Sequence, residues 1–353
     1  MITRRNWLGA GALLTGLMLV GGCKAQGRIG GLPDLAPLKS LAPYPLGVAA
    51  TASEIARPDW ASLAAAQYSR LTPEWEMKME YVLLPDGSLR FDRADALTGF
   101  AQAHGMAVHG HNLIWYDQEG GPSFAKLAGK PDAFLTAYAD YIQAVVGRYK
   151  GRVGGWDVVN EPVWNDGRGL RPCLWRTALG DDYIPLALTA AHEADPAAAL
   201  FVNDYNLELT PAKRKTFLKM IEGVLKSGAP LHGIGTQTHI QADLPPVMLR
   251  DAIRDLGSLG LKLHVSELDI SLQEPGLTGV AQPRLDQIRL VETLLKAYGD
   301  LRPEQQYGVT VWALRDSDSW INREKGLKLP DEPVLFDAQG RPKPLARAFA
   351  ANL

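Results

Sequence analysis

The stretch GGWDVVNEPVW, residues 154–164, has the composition of a buried strand that ends in polar residues. Trp156, Val158 and Val159 are apolar and β-favouring, as in a strand that is covered on both faces. Asn160-Glu161-Pro162 follows them, and proline cannot continue a ladder of backbone hydrogen bonds. The pattern therefore predicts a buried strand that carries an amide and a carboxylic acid at its carboxyl end.

Similar β-favouring runs recur along the chain and alternate with segments whose apolar residues have helical spacing. The eight predicted strands are Leu46–Ala50, Tyr68–Leu71, Ala107–Leu113, Gly155–Val159, Leu200–Asn203, Gly233–Thr238, Lys262–Ser266 and Gly308–Ala313. Amphipathic stretches lie between them, for example 132–151 and 211–228, the second starting at Thr210-Pro211 and stopping at Gly228. This alternation, with no break in composition after Gly47, predicts one α/β domain, a single (β/α)8 TIM barrel.

A doubly wound parallel sheet is the alternative fold for such an alternation. That fold usually carries a glycine-rich turn after its first strand, and the nearest candidate, GAGALLTG at residues 9–16, lies in the N-terminal leader. The length of 353 residues is within the range of TIM barrels, and 46% hydrophobic residues supply a large core. A formal net charge of −2 argues against nucleic acid or an anionic membrane surface as a partner. We expect one catalytic domain that acts as a monomer.

Residues 1–22 have the features of an export signal. Arg4-Arg5 precede the uncharged run Trp7–Val20, which is shorter than the ~20 residues needed to span a bilayer. Thr3–Leu8 resembles a bacterial twin-arginine signal, and Val20–Cys23 resembles a lipoprotein cleavage box. We expect a periplasmic protein that is tethered to the membrane by lipid on Cys23. Cleavage without lipidation is the alternative.

Residues 23–45 are rich in proline and are predicted to be a tether, so that the catalytic domain covers residues 46–353. If Cys23 is lipidated, Cys173 is the remaining cysteine, and a disulfide framework is excluded. Cys173 is interpreted as a core residue.

Polar clusters follow the predicted strands from the second onward. They are TPEWEMK (72–78), HGHNLIWYDQ (109–118), NEP (160–162), NDYN (203–206), QTHI (237–240), SELDI (266–270) and WALRDSDSW (312–320). In a closed parallel barrel the carboxyl ends of the strands meet on the face where active sites lie. The sequence therefore predicts a single polar cleft assembled from many strands.

Two carboxylic acids in these clusters, Glu161 and Glu267, have the chemistry that glycosidic bond cleavage requires. One acid donates a proton to the leaving oxygen, and the other stays ionised and attacks carbon or activates water. Asn160 can bind a sugar hydroxyl beside the bond that breaks, and His239 can hold Glu267 ionised. We expect the two carboxyl groups to lie about 5–5.5 Å apart, the spacing of a retaining enzyme.

These motifs, from about Leu46 to Leu353, resemble glycoside hydrolase family 10, the retaining endo-β-1,4-xylanases. The resemblance implies that Glu161 is the general acid/base and that Glu267 is the nucleophile of a double displacement. It also implies xylan or xylo-oligosaccharide as the substrate. We expect no cofactor and no catalytic metal.

The same resemblance assigns binding and supporting residues one by one. In TPEWEMK it implies that Glu74 and Lys78 bind the donor sugar one unit from the cleavage point. The other residues that match family motifs are His111, Trp115, Gln118, Asn203, Tyr205, Gln237, His239, Asp269, Trp312 and Trp320. Among them, Tyr205 belongs to the acceptor side. Trp312 and Trp320 resemble the two family tryptophans that enclose the donor sugars, whose apolar faces stack on such rings.

Three positions depart from the family pattern. Trp75 stands where the family has Asn, Met79 where Trp is common, and Ile321 where Arg commonly follows the last Trp. An indole cannot accept the hydrogen bond that an amide oxygen accepts from the second donor sugar. The hypothesis is that Trp75 reshapes the second donor subsite, and the alternative is that its side chain turns away from the cleft.

Three rival functions remain at the level of the sequence. His109 and His111 share one face of a strand, as in metal-dependent barrel hydrolases, and EDTA would inhibit such an enzyme. A non-catalytic sugar-binding barrel is the second rival, but binding alone does not require paired acids. A related β-1,4-glycanase acting on cellulose or mannan is the third, and the stretches EWEMK and GHNLIW favour xylan.

Overall fold

The computed structural model describes residues 35–118, 120–272, 281–324 and 330–353. The predicted export signal and the lipidation site at Cys23 lie outside the described residues and stay predictions. Residues 35–45, assigned from sequence to the tether, belong to the compact unit Leu35–Leu353. Leu38 is fully buried and its backbone N–H donates to Gln67 Oε1 at 3.0 Å, so the packed domain begins before Leu46. No helix in the described ranges is both long enough and apolar enough to cross a bilayer.

All strands belong to one parallel sheet that closes on itself. The strands are β1 Leu46–Ala50, β2 Arg70–Pro73, β3 Ala107–Trp115, β4 Gly155–Asn160, β5 Ala199–Asp204, β6 Gly233–Thr236, β7 His239–Gln241, β8 Lys262–Ser271 and β9 Gln306–Val311. Each of β1 to β5 pairs with the next strand, β1 also pairs with β9, and β8 pairs with β9. The contact of β6 with β8 closes the ring. The predicted single (β/α)8 barrel is confirmed.

The sixth strand position of the barrel is divided into two short strands, β6 and β7. β6 pairs with the first part of β8, and β7 pairs with Asp269–Ser271 further along the same strand. Thr238, which the sequence places inside this strand, has a φ of 60°, a conformation that β-branched residues avoid. The strand therefore breaks at Gln237-Thr238, where the chain turns the Gln237 side chain into the cleft.

The second strand begins two residues later than predicted. Tyr68 is still the C-cap of the preceding helix, since its backbone N–H donates to Ala64 O, and the extended segment starts at Arg70. β2 therefore reaches Pro73 and delivers Glu74 directly at its carboxyl end.

Helices cover the outside of the barrel. They are α1 Ala52–Ile55, α2 Pro58–Gln67, α3 Met79–Val82, α4 Asp92–Ala103, α5 Gly121–Ala125, α6 Pro131–Arg148, α7 Leu174–Leu179, α8 Tyr183–Ala194, α9 Pro211–Lys226, α10 Pro246–Gly257, α11 Ala281–Gly299, α12 Trp320–Glu324 and α13 Pro344–Ala351. Helix α6 illustrates why such a segment packs on the barrel. One face of the helix is buried because apolar residues recur at spacings of three and four, at Phe134, Tyr138, Tyr141 and Val145. Helix α9 begins at Pro211 as predicted and ends at Lys226, two residues before Gly228, and the Thr210 side chain makes no cap hydrogen bond.

Two glycines allow the barrel interior to pack closely. A Cβ at Gly110 would lie 2.1 Å from the ring of Trp156, a distance that no real side chain tolerates. At Gly235 an added Cβ would lie 2.2 Å from Asn203 Oδ1. The absence of a side chain at Gly235 thus provides the space that the Asn203 side chain occupies.

Candidate active site

The two predicted acids both line one cleft. Glu161 follows β4 directly, and Glu267 lies within β8 beside a register irregularity between Val265 and Leu268. Glu161 has a φ of 57°, and its backbone N–H donates to Asn203 O at 2.7 Å. A left-handed backbone at a residue other than glycine costs on the order of 1–3 kcal/mol and persists only where the surroundings enforce it. Here the strand end forces the Glu161 carboxylate into the cleft.

A bridge of three amide side chains connects the two carboxylates. Asn160 and Gln237 both donate to Glu161 Oε1, at 3.2 and 2.9 Å. Asn203 donates to Asn160 Oδ1 at 2.9 Å and to Glu267 Oε1 at 2.8 Å. Because every member of the bridge is buried, the positions of the two acids are fixed relative to each other.

Charge around Glu267 keeps that residue ionised. Burial acts to raise its pKa, but His111 and His239 outweigh this effect and hold the pKa below the ordinary value for glutamate. His239 lies between two carboxylates, with Nε2 3.3 Å from Glu267 Oε2 and Nδ1 2.9 Å from Asp269 Oδ2. Although burial opposes protonation, these acids raise the pKa of His239 to about 10. At neutral pH an imidazolium therefore pairs with an ionised Glu267.

Asp157, on β4, orients a second histidine on the same side of the cleft. Its Oδ2 lies 2.8 Å from His111 Nδ1, and its pKa is held far below the ordinary value because His109 and His111 outweigh the effect of burial. The edge of the His111 ring meets Trp312 at 5.2 Å between centroids. His111 is thus held at Nδ1 by Asp157, its Nε2 lies 3.4 Å from Asn112 Nδ2, and its ring lines the cleft.

The cleft has a volume of about 720 Å³, enough for several sugar units. It is lined by most of the predicted site residues: Glu74, Trp75, Lys78, His111, Trp115, Asn160, Glu161, Tyr205, Gln237, His239, Glu267, Asp269, Trp312 and Trp320. Trp312 and Trp320 both meet the His239 ring, at 6.3 and 5.2 Å between centroids. Trp320 Nε1 also donates to Asp269 Oδ2 at 2.8 Å, so its ring is held at the rim.

Two predicted residues do not line the cleft. Asn203 is fully buried and acts from behind as part of the amide bridge. Gln118 is also buried, and neither of its amide atoms has a hydrogen-bond partner in the described parts of the chain. The expectation that Gln118 contacts substrate therefore stays a prediction.

Residues 38–352 match the sequence model of glycosyl hydrolase family 10. The chain belongs to this family. It is 34% identical over 306 residues to endo-1,4-beta-xylanase 2 of Claviceps purpurea, with 86% of each chain covered. It is 36% identical over 298 residues to an endo-1,4-beta-xylanase of Geobacillus stearothermophilus, with coverage of 80% and 88%. The crystal structure of xylanase XynB from Paenibacillus barcinonensis, complexed with a conduramine derivative, superposes with a TM-score of 0.81 at 30% identity. That match covers 90% of this chain and 99% of the other.

The part of this family 10 cleft around Glu74 and Trp75 contains residues that the sequence alone did not indicate. Trp75 faces the cleft and stacks on Tyr81, with centroids 6.3 Å apart and planes inclined by 13°. The guanidinium of Arg323 lies 4.9 Å from the centroid of the Trp75 ring and forms an ion pair with Glu74. Burial raises the pKa of Glu74 to about 7 although Arg323 acts in the opposite direction. The alternative that Trp75 turns away is therefore wrong.

Arg323 places a cation beside Glu74 and Trp75, while position 321, where the family pattern commonly has Arg, holds Ile. It stands three residues after Trp320 in α12, whereas Ile321 is buried and lines the cleft with an apolar side chain. The signal in the sequence was an arginine three residues after the tryptophan, the spacing that places two helical side chains on one face. Position 321, where the family pattern has Arg, gives no indication of this cation.

One group of ligand-type side chains in the described residues could hold a metal ion: His109, Asp157 and His264, whose ligand atoms lie within 4.8 Å of one another. These side chains lie inside the barrel, and Asp157 already accepts from His111. The positive charge of Arg70 acts on both imidazoles and lowers their pKa in addition to burial, which is the larger cause. A fixed cation beside the cluster opposes a divalent ion, so these residues do not form a convincing metal centre in this family 10 barrel.

Proposed function

We propose that Glu267 is the nucleophile and Glu161 the general acid/base with which this family 10 enzyme, a retaining endo-1,4-β-xylanase, cleaves xylan. One observation carries the assignment: two carboxylates from β4 and β8 line a single cleft and are joined by buried amides, but only Glu267 is flanked by an imidazolium. The group beside the positive charge stays ionised and attacks carbon. The group without such a partner can carry the proton that the leaving oxygen needs.

The reaction then takes two displacements. In the first, Glu267 forms a bond to the anomeric carbon while Glu161 gives its proton to the departing glycosidic oxygen. In the second, Glu161 takes a proton from water, the water oxygen bonds to the anomeric carbon, and the bond to Glu267 breaks. Each displacement inverts the carbon, so that the product keeps the β configuration.

The side chains around the acids fit the binding of successive xylose units. Trp312 and Trp320 offer apolar faces to the donor sugars, while Lys78 and His111 offer polar atoms to the hydroxyl groups. Lys78 Nζ lies 5.0 Å from the Trp115 ring, which holds the ammonium at the wall of the cleft. Tyr205 lines the same cleft as Glu161, which fits the acceptor-side role that the family resemblance implies for it.

The first prediction concerns the stereochemistry of the product. We expect ¹H NMR of a fresh digest of xylohexaose to show the β anomer first and the α anomer only after mutarotation, because two inversions restore the configuration. Parallel reactions with carboxymethylcellulose and with mannan are controls for sugar specificity, and we expect both polymers to be hydrolysed far more slowly than xylan. Initial formation of the α anomer, or faster cleavage of cellulose than of xylan, would contradict the proposed function.

The second prediction concerns Trp75, which we propose limits the second donor subsite by covering it with an indole. Trp75→Asn returns an amide that can accept and donate, and it removes the ring on which Tyr81 stacks. We expect kcat/KM on xylotriose to change by about fivefold or more, and kcat/KM on polymeric xylan to change less, because additional subsites compensate. Phe100→Asn, at a half-buried aromatic residue of α4 that does not line the cleft, is the matched control. Unchanged kinetics of Trp75→Asn on both substrates would dismiss the role of the indole.

A further inference from the structure

Tyr205 is fixed at two points on the acceptor side of the cleft. Its hydroxyl oxygen accepts a hydrogen bond from Arg171 Nη2 at 2.7 Å. The ammonium of Lys213 lies 3.7 Å from the centroid of its ring. Lys213 is fully buried and is itself fixed by Asp204 Oδ1 at 2.6 Å. A tyrosine held at both the ring and the hydroxyl cannot rotate freely at the wall of the cleft.

Arg171 occupies the centre of a group of aromatic rings. Its guanidinium carbon lies 4.3 Å from the centroid of Tyr116, 5.4 Å from that of Tyr205 and 5.6 Å from that of Trp164. The arginine side chain is almost completely buried, and its Nε has no hydrogen-bond partner in the described residues. Burying a cation without a carboxylate partner is costly, so the aromatic faces, the Tyr205 hydroxyl and the Asn165 amide oxygen are what stabilises Arg171 there.

The segment that carries Arg171 is itself rigid and begins directly after Glu161. Val163 and Leu170 form an antiparallel bridge, and the backbone N–H of Arg171 donates to Pro162 O at 2.7 Å. Asn165 Oδ1, at the tip of this hairpin, accepts from both Arg171 Nη2 at 3.2 Å and Lys213 Nζ at 3.4 Å. The hairpin therefore connects the two cations that hold Tyr205.

We propose that Arg171 is a positioning residue for the leaving-group side, and that it fixes Tyr205 to receive the first acceptor xylose. This inference rests on the proposed function, because it assumes that a sugar leaves on the side of Glu161. As Arg171 donates to the Tyr205 oxygen, the phenolic proton of Tyr205 is left for an acceptor atom on the substrate. A tyrosine that is ordered before binding costs the substrate no further loss of side-chain entropy.

The test compares a substrate that fills the acceptor side with one that leaves it empty. Arg171→Met should lower kcat/KM on xylopentaose about tenfold, the loss expected for one charge-assisted hydrogen bond. On β-xylobiosyl fluoride, whose leaving group is a fluoride ion, the same variant should stay within about twofold of the wild type. Arg171→Lys, which retains a cationic donor, should recover part of the loss on xylopentaose.

A double-mutant cycle separates positioning from damage to the fold. Tyr205→Phe keeps the ring but loses the oxygen that accepts from Arg171, so it should reproduce the loss. The double variant should then be no worse than either single one. Arg168→Met is the matched control, because Arg168 lies on the same hairpin, 4.1 Å from the ring of Trp164, and is largely exposed. This control should behave as the wild type does.

Three results would overturn the proposal for Arg171. They are an equal loss on both substrates, additive losses in the cycle, and a displaced basic limb of the pH profile, which would mean that Arg171 acts through Glu161. A wild-type enzyme that hydrolyses neither substrate would instead overturn the proposed function. The two failures are therefore distinguishable.

Discussion

Glu267→Ala is expected to lower kcat on xylan by a factor on the order of 10⁵, the scale seen when a catalytic nucleophile is removed. The physical reason is that Asp269, the other carboxylate beside His239, already accepts hydrogen bonds from His239 Nδ1 and Trp320 Nε1 and cannot take over the attack. The measurement is the initial rate of reducing-sugar release. Glu222→Ala, at an exposed glutamate on α9, is the matched control and should leave the rate unchanged.

Adding azide to the Glu267→Ala variant tests the same role through the stereochemistry of the product. The methyl group of the variant leaves space in which azide can attack 2,4-dinitrophenyl β-xylobioside from the vacated side. Azide forms the new bond to carbon, dinitrophenolate leaves, and a single inversion gives α-xylobiosyl azide. Residual activity above about 1% of the wild type on xylan, or a β-azide product, would contradict the role of Glu267.

Glu161→Ala is expected to have the next largest effect, and that effect depends on the leaving group. On xylan we expect kcat/KM to fall by about 10²–10⁴-fold, because the glycosidic oxygen leaves without a proton. On 2,4-dinitrophenyl β-xylobioside the first displacement needs no acid, so kcat/KM should fall much less. Since water is no longer deprotonated, the glycosyl-enzyme should accumulate and produce a burst of dinitrophenolate.

Azide should restore turnover of the aryl substrate in this variant with the opposite stereochemistry. It attacks the glycosyl-enzyme from the side that the Glu161 carboxylate occupied, so two inversions give β-xylobiosyl azide. Asn160, which donates to Glu161 Oε1, is retained in the variant, and circular dichroism checks the fold. Equal losses on xylan and on the aryl substrate would show that Glu161 is not the proton donor.

The environment of Glu267 also fixes how this site responds to acid. Its pKa is lowered in the folded enzyme, so its charge contributes stability that is present above the ordinary pKa of glutamate. This contribution is lost as the pH falls through the lowered value. The stability contribution of His239 depends on pH in the opposite direction, because the pKa of His239 is raised to about 10 in the folded enzyme. This contribution is present below the ordinary pKa of histidine and is lost as the pH rises toward 10. The ion pair between them is therefore intact across the neutral range.

The fold was predictable because its signals are local. Apolar runs such as the one that ends in Asn160, and amphipathic runs such as α6, specify strands and helices by spacing alone. The errors arose where a tertiary contact overrode the local signal. Leu38 was assigned to a tether because its neighbours are proline-rich, yet it is buried against the barrel. Thr238 was placed inside a strand, whereas its left-handed backbone divides that strand.

The sequence by itself determined a barrel of eight staves and the strand ends at which Glu161, His239 and Glu267 stand, because periodicity and strand order require no knowledge of distant contacts. Only the tertiary structure decided which side chains share a charge or a ring. Arg323 pairs with Glu74, and Arg171 with Tyr205, across long stretches of chain. Such pairs form because closure of the barrel removes these polar groups from water. Each buried polar atom is then stabilised by a hydrogen bond or ion pair with the group that packing places beside it.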